Sequence, residues 1–137
     1  MNITDRKLPV SAGEVSNWES YFSIQMPLDH RKLLSESNGS VMYDSSIDKE
    51  LQVLSTSEAV EYFIDYDLIK YCSDSVPICL DGCSNIVVYK ITDGLPCGIY
   101  AMSCSNIGWE DSVFVCNSIF ELVALRSSID DLANHTS

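Results

Sequence analysis

Twenty carboxylates, six cysteines and two histidines are the groups with which this 137-residue chain could do chemistry. Nucleophilic catalysis needs a Ser or Cys beside a base, and bases are scarce: His30 falls within a helical pattern and His135 close to the C-terminus. The carboxylates are numerous enough for a general acid–base pair, yet neither spacing nor surroundings sets two of them apart. A Gly-rich phosphate loop and a zinc-helix signature are both missing from the sequence. Cys79 and Cys83 flank a turn and could offer two metal ligands, but no CxxC pair stands elsewhere to complete the set. The thiols of Cys72, Cys79, Cys83, Cys97, Cys104 and Cys116 are expected to be reduced and to pack as small apolar side chains. These residues lead to the expectation of no enzymatic activity, no metal and no cofactor.

The carboxylates matter instead through their distribution. Residues 36–121 hold fourteen acidic side chains against three basic ones, Lys49, Lys70 and Lys90, so that segment carries −11 of the net −12. Such a field repels nucleic acid and anionic membranes, attracts a basic partner and speeds the encounter with it. An acidic surface also keeps a protein soluble, which is its simplest role. The N-terminus shows no apolar run of signal-peptide length, and no window approaches ~18 consecutive apolar residues. The expected location is therefore the cytoplasm.

The elements that must position these charges can be read in turn. Ser11 and Glu14 have capping-box spacing, and Val15, Trp18 and Phe22 then fall on one face of a first helix. Pro27 suits the opening of a second helix of about three turns, which Asn38-Gly39 can close in left-handed conformation. His30, Leu33, Leu34 and Ser37 form its inward stripe. Val41–Tyr43 and Leu51–Leu54 read as short strands around an acidic, Ser-rich loop expected to be exposed. Ser55 and Glu58 repeat the capping-box spacing; Val60, Phe63 and Ile64 share an apolar side of the helix that follows, while Glu58, Glu61 and Asp65 line up outward.

Beyond this helix, Val76–Leu80, Ile86–Ile91, Gly98–Met102 and Ser112–Cys116 are β-rich runs broken by Asp81-Gly82, Asp93-Gly94 and Asn106-Ile107-Gly108. A last helix runs from Ser118 to Leu125. The expectation is an α+β fold: one domain over residues 1–137, with a mainly antiparallel sheet of about five or six strands and roughly three or four helices. Its core spans about residues 11 to 126, and residues 127–137 are expected to fray.

Three stretches carry a family likeness. Met26-Pro27, His30, Leu33-Leu34 and Asn38-Gly39 have the spacing of Leu-Pro, an aromatic, a large apolar pair and Asn-Gly in the SUKH family, a large group of mainly bacterial immunity proteins that includes a yeast cell-wall-assembly regulator. Val76-Pro77-Ile78-Cys79-Leu80-Asp81-Gly82-Cys83-Ser84-Asn85 is similar to that family's Pro-Ile, Asp-Gly and Asn order entering a strand. Ser118-Ile119-Phe120-Glu121-Leu122-Val123 resembles its closing helix. The three occur in the family's order over roughly residues 14 to 125. Departures are His30 and Ser37 where aromatics are usual, and Ser40, Cys83 and Ser84 where glycines are common.

The resemblance implies an immunity protein that neutralises a cognate toxin domain, most often a nuclease, whose Lys and Arg would meet carboxylates in place of phosphate. Its alternative implication is a regulatory or scaffold module without a toxin partner, for which long disordered flanks are the expectation. Contact residues are expected among Asp44, Asp48, Glu50, Glu58, Glu61, Asp65, Asp81, Asp93, Glu110 and Asp111. Trp109, next to two of these, either anchors the partner or packs on the sheet. Neither nucleic acid nor a membrane is an expected partner, and both a monomer and a homodimer remain open.

Overall fold

The computed structural model describes residues 2–125 together with Ser128, Ile129 and Leu132. His135 and most of the tail expected to fray lie outside the described residues. The class is α+β, with one antiparallel sheet of seven strands in sequential order and five helices among the described residues. The strands are β1 (Asn2–Arg6), β2 (Ser40–Asp44), β3 (Lys49–Val53), β4 (Ser75–Leu80), β5 (Asn85–Thr92), β6 (Leu95–Ser103) and β7 (Val113–Cys116). The helices are α1 (Ala12–Phe22), α2 (Leu28–Glu36), α3 (Thr56–Asp65), α4 (Leu68–Tyr71) and α5 (Ile119–Ala124).

The sheet is larger than the sequence suggested, because β1 adds a strand beside β2. Its residues lack apolar alternation, and backbone pairing at an edge does not require any. The extra helix, α4, is a single turn in the connection from α3 to β4.

Local signals act as expected at most boundaries. Both capping boxes form, Ser11 with Glu14 and Ser55 with Glu58, each hydroxyl accepting from the N3 amide while the glutamate accepts from the cap amide. Asp93 and Gly94 take φ of 53° and 74° between Thr92 and Leu95, the paired left-handed geometry of a two-residue hairpin. The second helix differs in detail: Pro27 is its N-cap, and it ends in an extended Ser37, with Gly39 alone turning left-handed at φ 91°.

Alternation along the strands divides the core in two. Val87 and Tyr89 of β5 and Ile99 and Ala101 of β6 join Trp18, Leu33, Leu34, Ile119 and Leu122 in one cluster. Ile86, Val88 and Met102 point the other way, onto Phe63, Leu68 and Cys72. The centre of the sheet is thus covered on both faces. The wing formed by β1–β3 buries Met42, Leu51 and Val53 on the first face and leaves Tyr43 and Glu50 exposed.

Two polar residues are built into the first cluster. His30 is buried between Trp18 and Tyr89, and its Nδ1 lies 2.9 Å from the Tyr89 hydroxyl. Burial lowers its pKa to about 4. Lys49 corrects the expected exposed loop: it is buried, and its Nζ donates to the carbonyls of Leu122 and Leu125 at 3.0 and 2.8 Å. A cation there satisfies the last carbonyls of α5 and complements its dipole. Of the expected apolar side of α3, Phe63 is buried and Ile64 is exposed, because Ala59 shares the inward face with Phe63. Among the cysteines, Cys72, Cys79 and Cys116 are buried as small apolar groups, whereas Cys83 and Cys97 are exposed.

Candidate functional site

The β2–β3 hairpin gathers the first group of carboxylates. Asp44 Oδ1 accepts from both the amide and the hydroxyl of Ser46, at 3.0 and 2.6 Å, and so shapes the turn. Asp48 is left-handed at φ 48° and accepts the Tyr43 hydroxyl at 2.7 Å. Tyr43 is opposite Glu50 in the pairing register, so both project from the open face of the wing. The hydrogen bond to Asp48 raises the Tyr43 pKa, and the charges of Asp48, Glu50 and Asp44 raise it further.

Glu50 extends this group toward the β4–β5 turn. Its carboxylate lies over Gly82, where φ is 77° and a Cβ would collide with it. Asp81, in the same turn, is buried: Oδ1 accepts from the amides of Cys83 and Asn85 at 2.9 and 3.1 Å, and Oδ2 from the Asn85 side chain at 2.7 Å. Its charge is spent on holding the turn.

A second group sits where α3 meets α4. Asp65, Tyr66, Asp67, Tyr71 and residues 104–107 line an open cleft of about 420 Å³. Asn106 in that cleft donates to Asp111 at 2.8 Å. A hydrogen bond with Cys104 pushes the Tyr66 phenol up to about 12. The Cys104 amide donates to the Ser84 carbonyl at 2.7 Å, which joins the cleft to the turn beneath Glu50. Two acidic groups therefore lie on either side of the β4–β5 turn: Asp48 and Glu50 against Gly82, and Asp65 and Asp67 in the cleft whose Cys104 is bonded to Ser84.

Charge on these groups is not cancelled internally. Between described side chains the ion pair is Lys7 to Asp5 on β1 and its exit, and Asp48, Glu50, Asp65, Asp67 and Asp111 take part in none. Lys49, between Asp48 and Glu50 in sequence, is buried and donates to the carbonyls of Leu122 and Leu125, and Lys70, which follows Asp67, lies over the Tyr71 ring at 5.1 Å from its centroid. Among the described residues no three His, Cys, Asp or Glu side chains gather closely enough to hold a metal ion, and no helix is long and apolar enough to cross a membrane.

No protein-family model matches the chain, and no curated protein matches it either.

Of the remaining candidates, Glu58 and Glu61 precede Asp65 on α3, Glu110 precedes Asp111, and Asp93 is on another turn. Glu58 is half-buried and committed to the cap of α3, while Glu61 is exposed farther along that helix. Asp93 is in the β5–β6 turn, at the opposite end of the sheet from the Asp81 turn. Glu110 is exposed beside Trp109. Trp109 is half-buried: its Nε1 donates to Asp74 at 2.7 Å, its ring meets Tyr100 edge-on at 5.5 Å, and Lys90 lies 5.1 Å from its centroid. Sequence reasoning passed over Asp67, which ends the connection into α4 and shares the cleft with Asp65. The signal was present, since Asp65-Tyr66-Asp67 continues an acidic stripe just past the helix end.

Proposed function

We propose that this protein is an inhibitor of the immunity type, which binds a basic toxin domain in the cytoplasm and blocks its substrate groove. The SUKH likeness of its three ordered stretches supports the reading. The observation that carries it is that Asp48, Glu50, Asp65, Asp67 and Asp111 pair with no described cation and lie exposed, in two groups on either side of the β4–β5 turn. Carboxylates in such groups imitate the phosphates that Lys and Arg of a nuclease would bind. The mechanism is occupation and charge neutralisation, without turnover. Long-range attraction speeds the encounter, and short-range fit sets the lifetime of the complex.

The test is to mix the protein with the toxin domain encoded beside it. A tight 1:1 complex whose association slows as salt rises is the expected outcome. Failure to bind any basic domain encoded nearby removes the reading.

A further inference from the structure

α4 separates two depressions of opposite character. On one side is the acidic cleft with Asp65 and Asp67. On the other, a groove of about 430 Å³ runs between α1 and β4–β5, lined by Tyr21, Phe22, Phe63, Ile69, Val76 and Ile91, with Asp74 at its edge. Edge-to-face contacts among Tyr21, Phe22 and Phe63, at centroid separations of 5.0 to 6.1 Å, fix its aromatic wall. The Trp109 indole N–H fixes Asp74. Ile69 is 70% exposed on the ridge, and Tyr21 and Ile64 are exposed on the neighbouring helices. Large apolar side chains left in water beside a shaped, apolar groove, with Asp74 at its rim and Asp65 and Asp67 across α4, have the composition of an interface centre.

Resting on the reading of this protein as a binder of a basic partner, we propose that the groove seats one apolar side chain of that partner. The side chain enters between Tyr21 and Ile69, and the Lys or Arg residues flanking it reach Asp74 on the near side and Asp65 and Asp67 across the ridge. Charge selects this occupant over a second copy of the chain. A two-fold pair through this face would bring two chains of net charge −12 together, with Asp74 at the rim of each groove. An anionic membrane is repelled for the same reason.

Two synthetic helical peptides of equal lysine content test the proposal, one with leucines along one face and the other with serines in their place. Binding is followed by fluorescence anisotropy at low salt, with sedimentation to report self-association. The leucine peptide is expected to bind at least about tenfold more tightly than the serine peptide, the gain of burying one such side chain. Ile69→Ser, at an exposed position, should erase that preference and leave the weaker binding of both peptides intact. Leu95→Ser, at an exposed residue of the β5–β6 hairpin, should leave the preference unchanged. Equal affinities for the two peptides, or no effect of Ile69→Ser, would overturn the groove while the basic-partner reading stands. If neither peptide binds, the basic-partner reading fails and the groove with it. Self-association that Ile69→Ser abolishes would assign the face to a second copy and overturn the proposal.

Discussion

The β4–β6 centre and the β1–β3 wing are parts of one sheet under different constraints. In the centre both faces are covered, so β5 runs through five buried residues, Asn85 to Tyr89, and alternation disappears from its burial. In the wing one face meets water, and inward Met42 and Leu51 alternate with outward Tyr43 and Glu50. The middle of the centre is therefore closed to recognition, which is left to the ends of its strands. The wing, with the adjoining corner of α3 and α4, has surface whose side chains can change without emptying the core.

Substitutions sharpen that contrast. The largest effect is expected for Val88→Asp, which puts a charge into the second core without a partner. It should cost more than about 4 kcal/mol, and no cooperative urea transition is expected. A folded Val88→Asp protein would break the distinction between the two regions.

Acid provides the next. The unfolded chain protonates His30 near the ordinary 6.5, while the buried ring in the folded state resists down to about 4. Its contribution to stability is thus complete above pH 6.5 and is lost as pH falls toward 4, on the order of 3 kcal/mol in all. Urea unfolding at pH 7 and pH 4.5 measures it. The double variant His30→Phe with Tyr89→Phe, which removes both partners of the hydrogen bond, should flatten this part of the profile.

Three carboxylates near the β2–β3 and β4–β5 turns are then predicted to differ in kind. Asp81→Ala leaves the Asn85 side chain and two amides without their acceptor, and should cost about 2 kcal/mol in urea unfolding. Asp48→Asn with Glu50→Gln is the smallest effect on stability, within about 0.5 kcal/mol, since both are exposed. The double variant should nonetheless slow association with a basic partner in stopped-flow measurements at low salt. Slowing by Asp81→Ala alone, with Asp48 and Glu50 silent, would reverse the assignment.

Readable features were those decided within a few residues. Ser11 with Glu14 and Ser55 with Glu58 mark helix starts because cap and N3 residue bond each other. Asp93-Gly94 marks a hairpin because both residues tolerate positive φ. Lys49, read as loop, is a buried cation because α5, seventy residues later, ends above it. Asp81 looked like its acidic neighbours until the turn folded its own amides around it. Ile64 is turned outward because α3 points Ala59 and Phe63 inward, and Glu58 is half-buried because its carboxylate accepts the Ser55 amide.

By itself the sequence determined the α+β class, most element boundaries and the excess of negative charge, since each depends on local conformational preference or on composition. Only the tertiary structure decided which carboxylates are spent on caps and turns, which stay exposed without a cation, and that an apolar groove lies across α4 from some of them. Those outcomes depend on which distant segments share a face, and contact between distant segments leaves no periodic trace in a single chain.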